Sequence, residues 1–270
     1  MSSREAATAD EAGAVGAVGT ERLTRRQLLT ETWLVLGVSL GASAIWSALS
    51  LVRKLTARVA LNQQTTAMNS SVTPDRPWLD LTYQLVGIVL ALVPVFLALH
   101  LLRRSRPDAH HEIGADLRRP GQDLLRGVLL AAAVGIPGLA LYAGARALGL
   151  NTNVAAANLA AQWWTVPVLV LAAAQNAVLE EVVMVGYLFT RWRQAGWSVP
   201  LVIGLSALIR GSYHLYQGFG GFVGNIAMGL LFGWVYTRTR RVGPLVVAHT
   251  LLDVVAFVGY ALLRDHVSWL

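Results

Sequence analysis

"LEEVVMVGYLF", residues 179–189, sets two adjacent carboxylates, Glu180 and Glu181, in a run of Val, Leu, Met and Phe. An acidic side chain at the centre of a bilayer costs about 2.5–3.5 kcal/mol, while each Val, Leu or Phe there returns about 0.3–0.6 kcal/mol. The window 164–189 holds twelve such residues, so two glutamates cancel most of what the window gains by entering a membrane. Something other than insertion must justify them.

The rest of the chain shows that a membrane is the right reference. Of its 270 residues 55% are hydrophobic and 14% charged, against about 25% charged in an ordinary soluble domain. The apolar residues gather in windows of about 20, the length that crosses the hydrocarbon. These windows predict membrane helices at 31–52, 80–102, 124–146, 164–189, 199–217, 220–237 and 243–263. The expected fold is all-α, a polytopic transmembrane bundle of about seven to eight helices in a cell membrane.

Three parts are expected: a disordered cytoplasmic tail (1–25), N-terminal membrane helices with a cytoplasmic loop (26–123), and a core (124–270) that holds the buried polar groups. With the N-terminus cytoplasmic, the inner segments carry 14 basic residues and the outer ones 6, which sets the orientation by the positive-inside rule. The discordant stretch is "RKLTARVALNQQ", whose Arg53, Lys54 and Arg58 fall outside; it predicts an interfacial stretch or an eighth segment. The net charge of +7 lies in short arginine clusters between apolar windows, which argues for a lipid bilayer as partner and against nucleic acid. No cysteine is present, which excludes disulfides, thiol nucleophiles and Cys-type zinc sites. His110 and His111, in the loop "RRSRPDAHHEIGADLRRPGQD", read as solvated; His100 and His266 read as interfacial.

In the last four windows the apolar background is broken at Glu180, Glu181, Arg210, His214, Asn225, His249 and Asp253. Ionisable groups at membrane depth are a functional hypothesis by default. Arg210 and His214 lie four apart, as do His249 and Asp253, so each pair shares a helix face. Two helices thus each aim an imidazole and a charge in one direction. Adjacent residues are turned about 100° from each other on an α-helix, so Glu180 and Glu181 are not expected to reach one target: one should act and the other be structural. Asn225 alone reads as interhelical glue, inside a small-residue seam of Gly221, Gly229 and Gly233.

In this order, "EEVVMVGY", "IRGSYH" and "HTLLD" resemble the CPBP family of intramembrane proteases, the CAAX prenyl endopeptidase, bacteriocin-processing and Abi-like group. Two positions depart from the pattern: the motif arginine is Val185, and the motif phenylalanine is Arg210. Arg210, one turn before His214, is expected to supply the missing cation from a neighbouring helix and to pair with Glu181. The resemblance implies an endopeptidase in which Glu180 and His214 activate water while His249 and Asp253 stabilise the oxyanion or hold the substrate, with Glu181, Arg210 and Asn225 in support. Its partner would be a membrane-associated peptide or protein.

A divalent metal such as zinc is left open, with Glu180, His214, His249 and Asp253 as its donors; HExxH is absent, and the metal-free version, with no cofactor, is preferred. Two other readings stand beside the protease. One is a proton-coupled transporter, since Glu, His and Arg in membrane helices also build proton relays. The other is a protease-like scaffold that binds without cleaving.

Overall fold

A computed structural model describes residues 23–264 and 266 of the chain. Most of the expected tail therefore lies outside the described residues, and its last expected residue, Arg25, already opens the first helix. The helices are α1 (Arg25–Gly37), α2 (Leu40–Leu55), α3 (Pro77–Ala91), α4 (Val93–Ser105), the single turn α5 (Ala109–Glu112), α6 (Pro120–Ala147), α7 (Thr165–Glu180), α8 (Leu188–Gln194), α9 (Val199–Ser212), α10 (Phe219–Thr239) and α11 (Gly243–Leu263). A π-helix, Glu181–Tyr187, joins α7 to α8. Strands β1 (Thr65–Ala67) and β2 (Asn153–Ala155) pair in parallel, Thr66 opposite Val154.

Every predicted window coincides with helix, but not every helix spans by itself. Among the described residues five are long and apolar enough to cross a membrane: Pro77–Ser105, Pro120–Ala147, Thr165–Gln194, Phe219–Thr239 and Gly243–Leu263. Pro94, which has no N–H to give the preceding turn, breaks the first of these at Leu92. The pair α1 and α2, bent by 52°, makes a sixth span if taken as one. The fifth predicted window, 199–217, is corrected: α9 stops at Ser212 after 14 residues, too few at 1.5 Å each to cross about 30 Å of hydrocarbon. The protein is a multi-pass membrane protein. Its central element is the helix through Thr165–Gln194, with more than half of its apolar window buried inside the protein against less than a third for the other four.

Around that centre pack Val183, Met184, Tyr187, Trp192, Phe232 and Leu245, all 0% exposed. The seam in α10 is real in part. A Cβ on Gly229 would lie 2.9 Å from Ala207 Cα, and one on Gly233 3.2 Å from Ile203 Cγ2, so these two glycines let α10 settle on α9. Gly221 instead faces its own preceding turn at Gln217.

Charge is buried away from the acidic pair too. Arg191, expected among the basic loop residues, is 0% exposed. It donates to Glu31 Oε1 (2.7 Å), Ser105 Oγ (3.0 Å) and the Leu101 carbonyl (2.6 Å), tying α8 to α1 and α4. Tyr187 Oη donates to the same Glu31 oxygen at 2.8 Å.

The stretch after α2 is not an eighth membrane segment. It forms a 3₁₀ turn (Leu61–Gln63) and then β1, which with β2 roofs the bundle.

At the opposite end the loop 106–119 is latched. Arg241 reaches Asp123 with Nε (2.9 Å) and Nη2 (2.7 Å), and Asp116 with Nη2 (2.9 Å). His111 Nδ1 lies 3.0 Å from Asp116 Oδ2, so this histidine, expected to be solvated, is a partner in the latch. Between these contacts Ile113 accepts from the Val242 N–H at 2.9 Å and packs against Gly186 below the π-helix.

Burial pushes the Asp116 carboxyl up, but the Arg118 N–H, Arg241 and His111 outweigh it and hold the group well below the usual carboxylate range. A depressed folded pKa gives stability that is complete above the unfolded value of about 3.9 and is lost as pH falls through the folded one. Between about pH 5 and pH 3 the melting temperature of Asp116→Asn should therefore fall less steeply than that of the wild type, from a lower start. The nine tryptophans supply the fluorescence for the measurement, and identical slopes would remove Asp116 from the latch.

Candidate active site

Glu180 ends α7 and Glu181 opens the π-helix. Arg210, near the C-terminus of α9 and 1% exposed, meets both: Nη1 donates to Glu180 Oε2 at 3.2 Å and Nη2 to Glu181 Oε1 at 2.7 Å. The expected Arg210–Glu181 pair is present. The expectation that the two glutamates cannot share a target is corrected, because the forked guanidinium offers two nitrogens to two carboxylates pointing in different directions. The face of the Phe232 ring lies below the guanidinium carbon, 5.7 Å from its centroid.

The two carboxylates are not equivalent. Glu181 is 0% exposed; its Oε1 serves both Arg210 and His249, and among the described residues its Oε2 has no partner. Glu180 is 8% exposed, and its Oε2 accepts from Arg210 and from Tyr213 Oη, the latter at 2.7 Å.

Tyr213 is a site residue that spacing did not reveal. It adjoins His214 in "IRGSYH", and only the end of α9 at Ser212 turns it toward Glu180. His214 lies past that helix end, and its ring Nδ1 donates to the Arg210 carbonyl at 3.0 Å. That leaves Nε2 as the acceptor of a neutral ring. The ring stands 4.8 Å from that of Tyr213 and 6.2 Å from that of Tyr216.

From α11, His249 Nδ1 meets Glu181 Oε1 at 2.8 Å, while Nε2 lies 3.7 Å from Asp253 Oδ1. The spacing of four does place both on one face, with the ring between two carboxylates. Asn176, one turn before Glu180 on α7, reaches Asp253 Oδ2 at 3.5 Å; its i−4 position relative to Glu180 was the signal for it. Asn225 belongs elsewhere. Its amide donates to the Gly221 carbonyl one turn back at 2.9 Å, which is neither a bond between helices nor a contact with the acidic groups.

Among the described residues, the donors within 4.8 Å of one another are those of Glu180, Glu181 and His249, rather than the expected set of Glu180, His214, His249 and Asp253. A divalent ion fits them poorly. Arg210 and His249 already converge on Glu181 Oε1, so a dication there would have to displace a guanidinium that neutralises both carboxylates.

All of these groups fall in one stretch of the chain. Residues 162–255 match the family of type II CAAX prenyl endopeptidases described as Rce1-like. This segment is an Rce1-like domain. It covers about a third of the chain, from just before α7 into α11, and includes Asn176, Glu180, Glu181, Arg210, Tyr213, His214, His249 and Asp253. Neither a curated protein nor a solved structure matches the chain.

Removing one partner of a buried ion pair costs about 3–5 kcal/mol, because it strands the other charge. Arg210→Met should therefore lower the melting temperature strongly, and adding Glu181→Gln should restore part of the loss. Arg210→Lys should not substitute, since a single ammonium cannot reach both carboxylates with a planar fork. Thermal unfolding of these three variants and of Glu181→Gln alone checks this, and strictly additive losses in the double variant would rule out the coupling.

Proposed function

We propose that the protein is an intramembrane endopeptidase that hydrolyses a peptide bond of a membrane-associated peptide or protein. The observation that carries this reading is the convergence of Glu180, Glu181, Arg210 and His249 at the buried centre of a membrane bundle, inside the Rce1-like segment.

Glu180 is the better base of the two glutamates. It is the more exposed, and both donors hold its Oε2, which leaves Oε1 for a water. Glu180, with the Nε2 lone pair of His214, takes a proton as that water attacks the scissile carbonyl carbon. The carbonyl electrons move onto oxygen. His249, a donor toward carboxylates on both sides, offers the longer of its two contacts, the 3.7 Å one to Asp253, to that oxyanion; one such donor is worth about 3–4 kcal/mol. When the carbon–nitrogen bond breaks, the proton held by Glu180 passes to the amine and a carboxylate remains. Asp253, which donates only when protonated, fits better as the group that orients His249.

The family-like arginine is replaced in this scheme by Arg210, which holds both glutamates in register. The face bearing Arg103, Arg104, Arg106, Arg118, Arg119 and Arg238 is the cytoplasmic one, by the positive-inside rule, with the N-terminus on the same side. Residues 124–270 form the protease core, and 26–123 are helices packed against it.

Membrane fractions of cells carrying wild type or Glu180→Gln, compared for new peptide termini, test the function. Loss of a general base costs about 10²- to 10⁴-fold in rate, so termini that accumulate with wild type should vanish with Glu180→Gln. Identical termini with an unchanged cellular phenotype would favour the non-cleaving scaffold. Identical termini with a lost proton flux in vesicles would favour the transporter.

A further inference from the structure

Lys54 is the only lysine among 22 basic residues, and it sits in the stretch that disagrees with the positive-inside count. It is 7% exposed. Its ammonium donates to Thr66 Oγ1 and to the Tyr216 carbonyl, and among the described residues no carboxylate pairs with it. An ammonium withdrawn from water without a counter-charge costs several kcal/mol, so a roof that needed only packing would use an apolar side chain here.

What the ammonium holds is the turn that carries His214. Tyr216, two residues on, donates its N–H to Ser47 Oγ at 2.7 Å. From Lys54 a chain of donors runs through Thr66 Oγ1 to Thr152 Oγ1 (2.7 Å) and from Thr152 Oγ1 to the Gln217 carbonyl (2.9 Å). Thr66 Oγ1 also reaches the Tyr216 carbonyl at 3.1 Å, so its single proton is shared between that carbonyl and Thr152. An ammonium, with three donors and no acceptor, suits the head of such a chain.

The turn is closed on its far side by Gly218, whose φ of +115° and 2.7 Å approach of a built Cβ to the Leu150 carbonyl leave no room for a side chain. The imidazole is therefore aimed twice. Its Nδ1 is fixed by the Arg210 carbonyl, and its backbone is pinned through Tyr216 and Gln217 by residues from α2, β1 and the segment before β2. Ser47, Lys54, Thr66 and Thr152 all lie outside the Rce1-like stretch 162–255.

We infer that Lys54 is a positioning residue for His214: the N-terminal part of the chain completes the site by clamping the α9–α10 turn through a buried ammonium. The inference rests on the proposed role of His214, and the test separates the two. Purified full-length protein in detergent is treated with diethylpyrocarbonate, and carbethoxylation of His214 is measured by peptide mass spectrometry relative to His249. Lys54→Met should raise that ratio about tenfold, in line with the sensitivity of a site to displacements near 1 Å, while the tryptophan-monitored melt stays cooperative. An unchanged ratio in a folded Lys54→Met sample overturns the inference. Should Lys54→Met fail to fold, Thr66→Val, which cuts the same chain one step later, decides by the same ratio.

A second arm uses a fluorescence-quenched peptide ending in a farnesylated cysteine motif. With wild type cleaving it, Lys54→Met should lower kcat about 10- to 100-fold with KM within about twofold; an equal kcat overturns the inference. If wild type does not cleave that peptide and the termini comparison also shows no Glu180-dependent product, the protease reading fails, while the carbethoxylation ratio still judges the clamp.

Discussion

A guanidinium held between two buried carboxylates is the constraint from which the rest of this bundle follows. Two ionised glutamates on one membrane helix are tolerable only with a permanent cation beside them, and arginine alone remains charged under any burial. Because that cation comes from α9 rather than from the next turn of the same helix, α9 must lie close to the central helix. The partner on its other side must also be slim. Gly229 sets its backbone against Ala207, and its built Cβ would come within 3.2 Å of Arg210 Cδ. A stripe of small residues in α10 is thus a consequence of where the positive charge originates. A cation carried by α9, rather than by the helix of the glutamates, places its support on a different pair of helices.

The same rule extends beyond the acidic pair. Arg191 joins α8 to α1 and α4 through Glu31, Ser105 and Leu101. Arg241 joins the start of α11 to Asp116 and Asp123, and Lys54 joins α2 to the α9–α10 turn. Lipid offers no hydrophobic drive between apolar helices, so directional contacts carry the specificity. Arg191, Arg241 and Lys54 each connect segments far apart in sequence, and each ties the N-terminal helices, or the loop before α6 and its first turn, to the half that holds the acidic pair.

Long apolar windows were legible because a span of about 20 residues leaves few alternatives; six of the seven fall on spans that are long enough, one of them a bent pair, and 199–217 does not. Arg210 was legible as a displaced charge, since an unpaired Glu181 in lipid demands a cation. Three features were hidden for physical reasons. The end of α9 at Ser212 has no proline or glycine immediately after it to announce it, so the window 199–217 runs on past Tyr213. The burial of Arg191 and Lys54 depends on contacts 90 to 162 residues away in sequence, which no local pattern encodes. An amide in lipid needs a partner, which makes Asn225 look like glue between helices, but its own helix supplies one.

The π-helix explains why adjacency of the glutamates is useful rather than wasteful. Seven residues from Glu181 to Tyr187 bond to partners five back instead of four, a widening that is costly as a regular structure and recurs at functional sites. The junction falls between the two glutamates: Glu180 keeps α-helical surroundings and edges toward solvent, while Glu181 enters the wider turn and is sealed at 0% exposure. A single guanidinium then serves both, with Glu181 and His249 on the sealed side and Glu180 and Tyr213 on the other. Replacing either glutamate with an uncharged residue would leave one arm of the fork unmatched, so the two carboxylates and the guanidinium stand or fall as one buried unit.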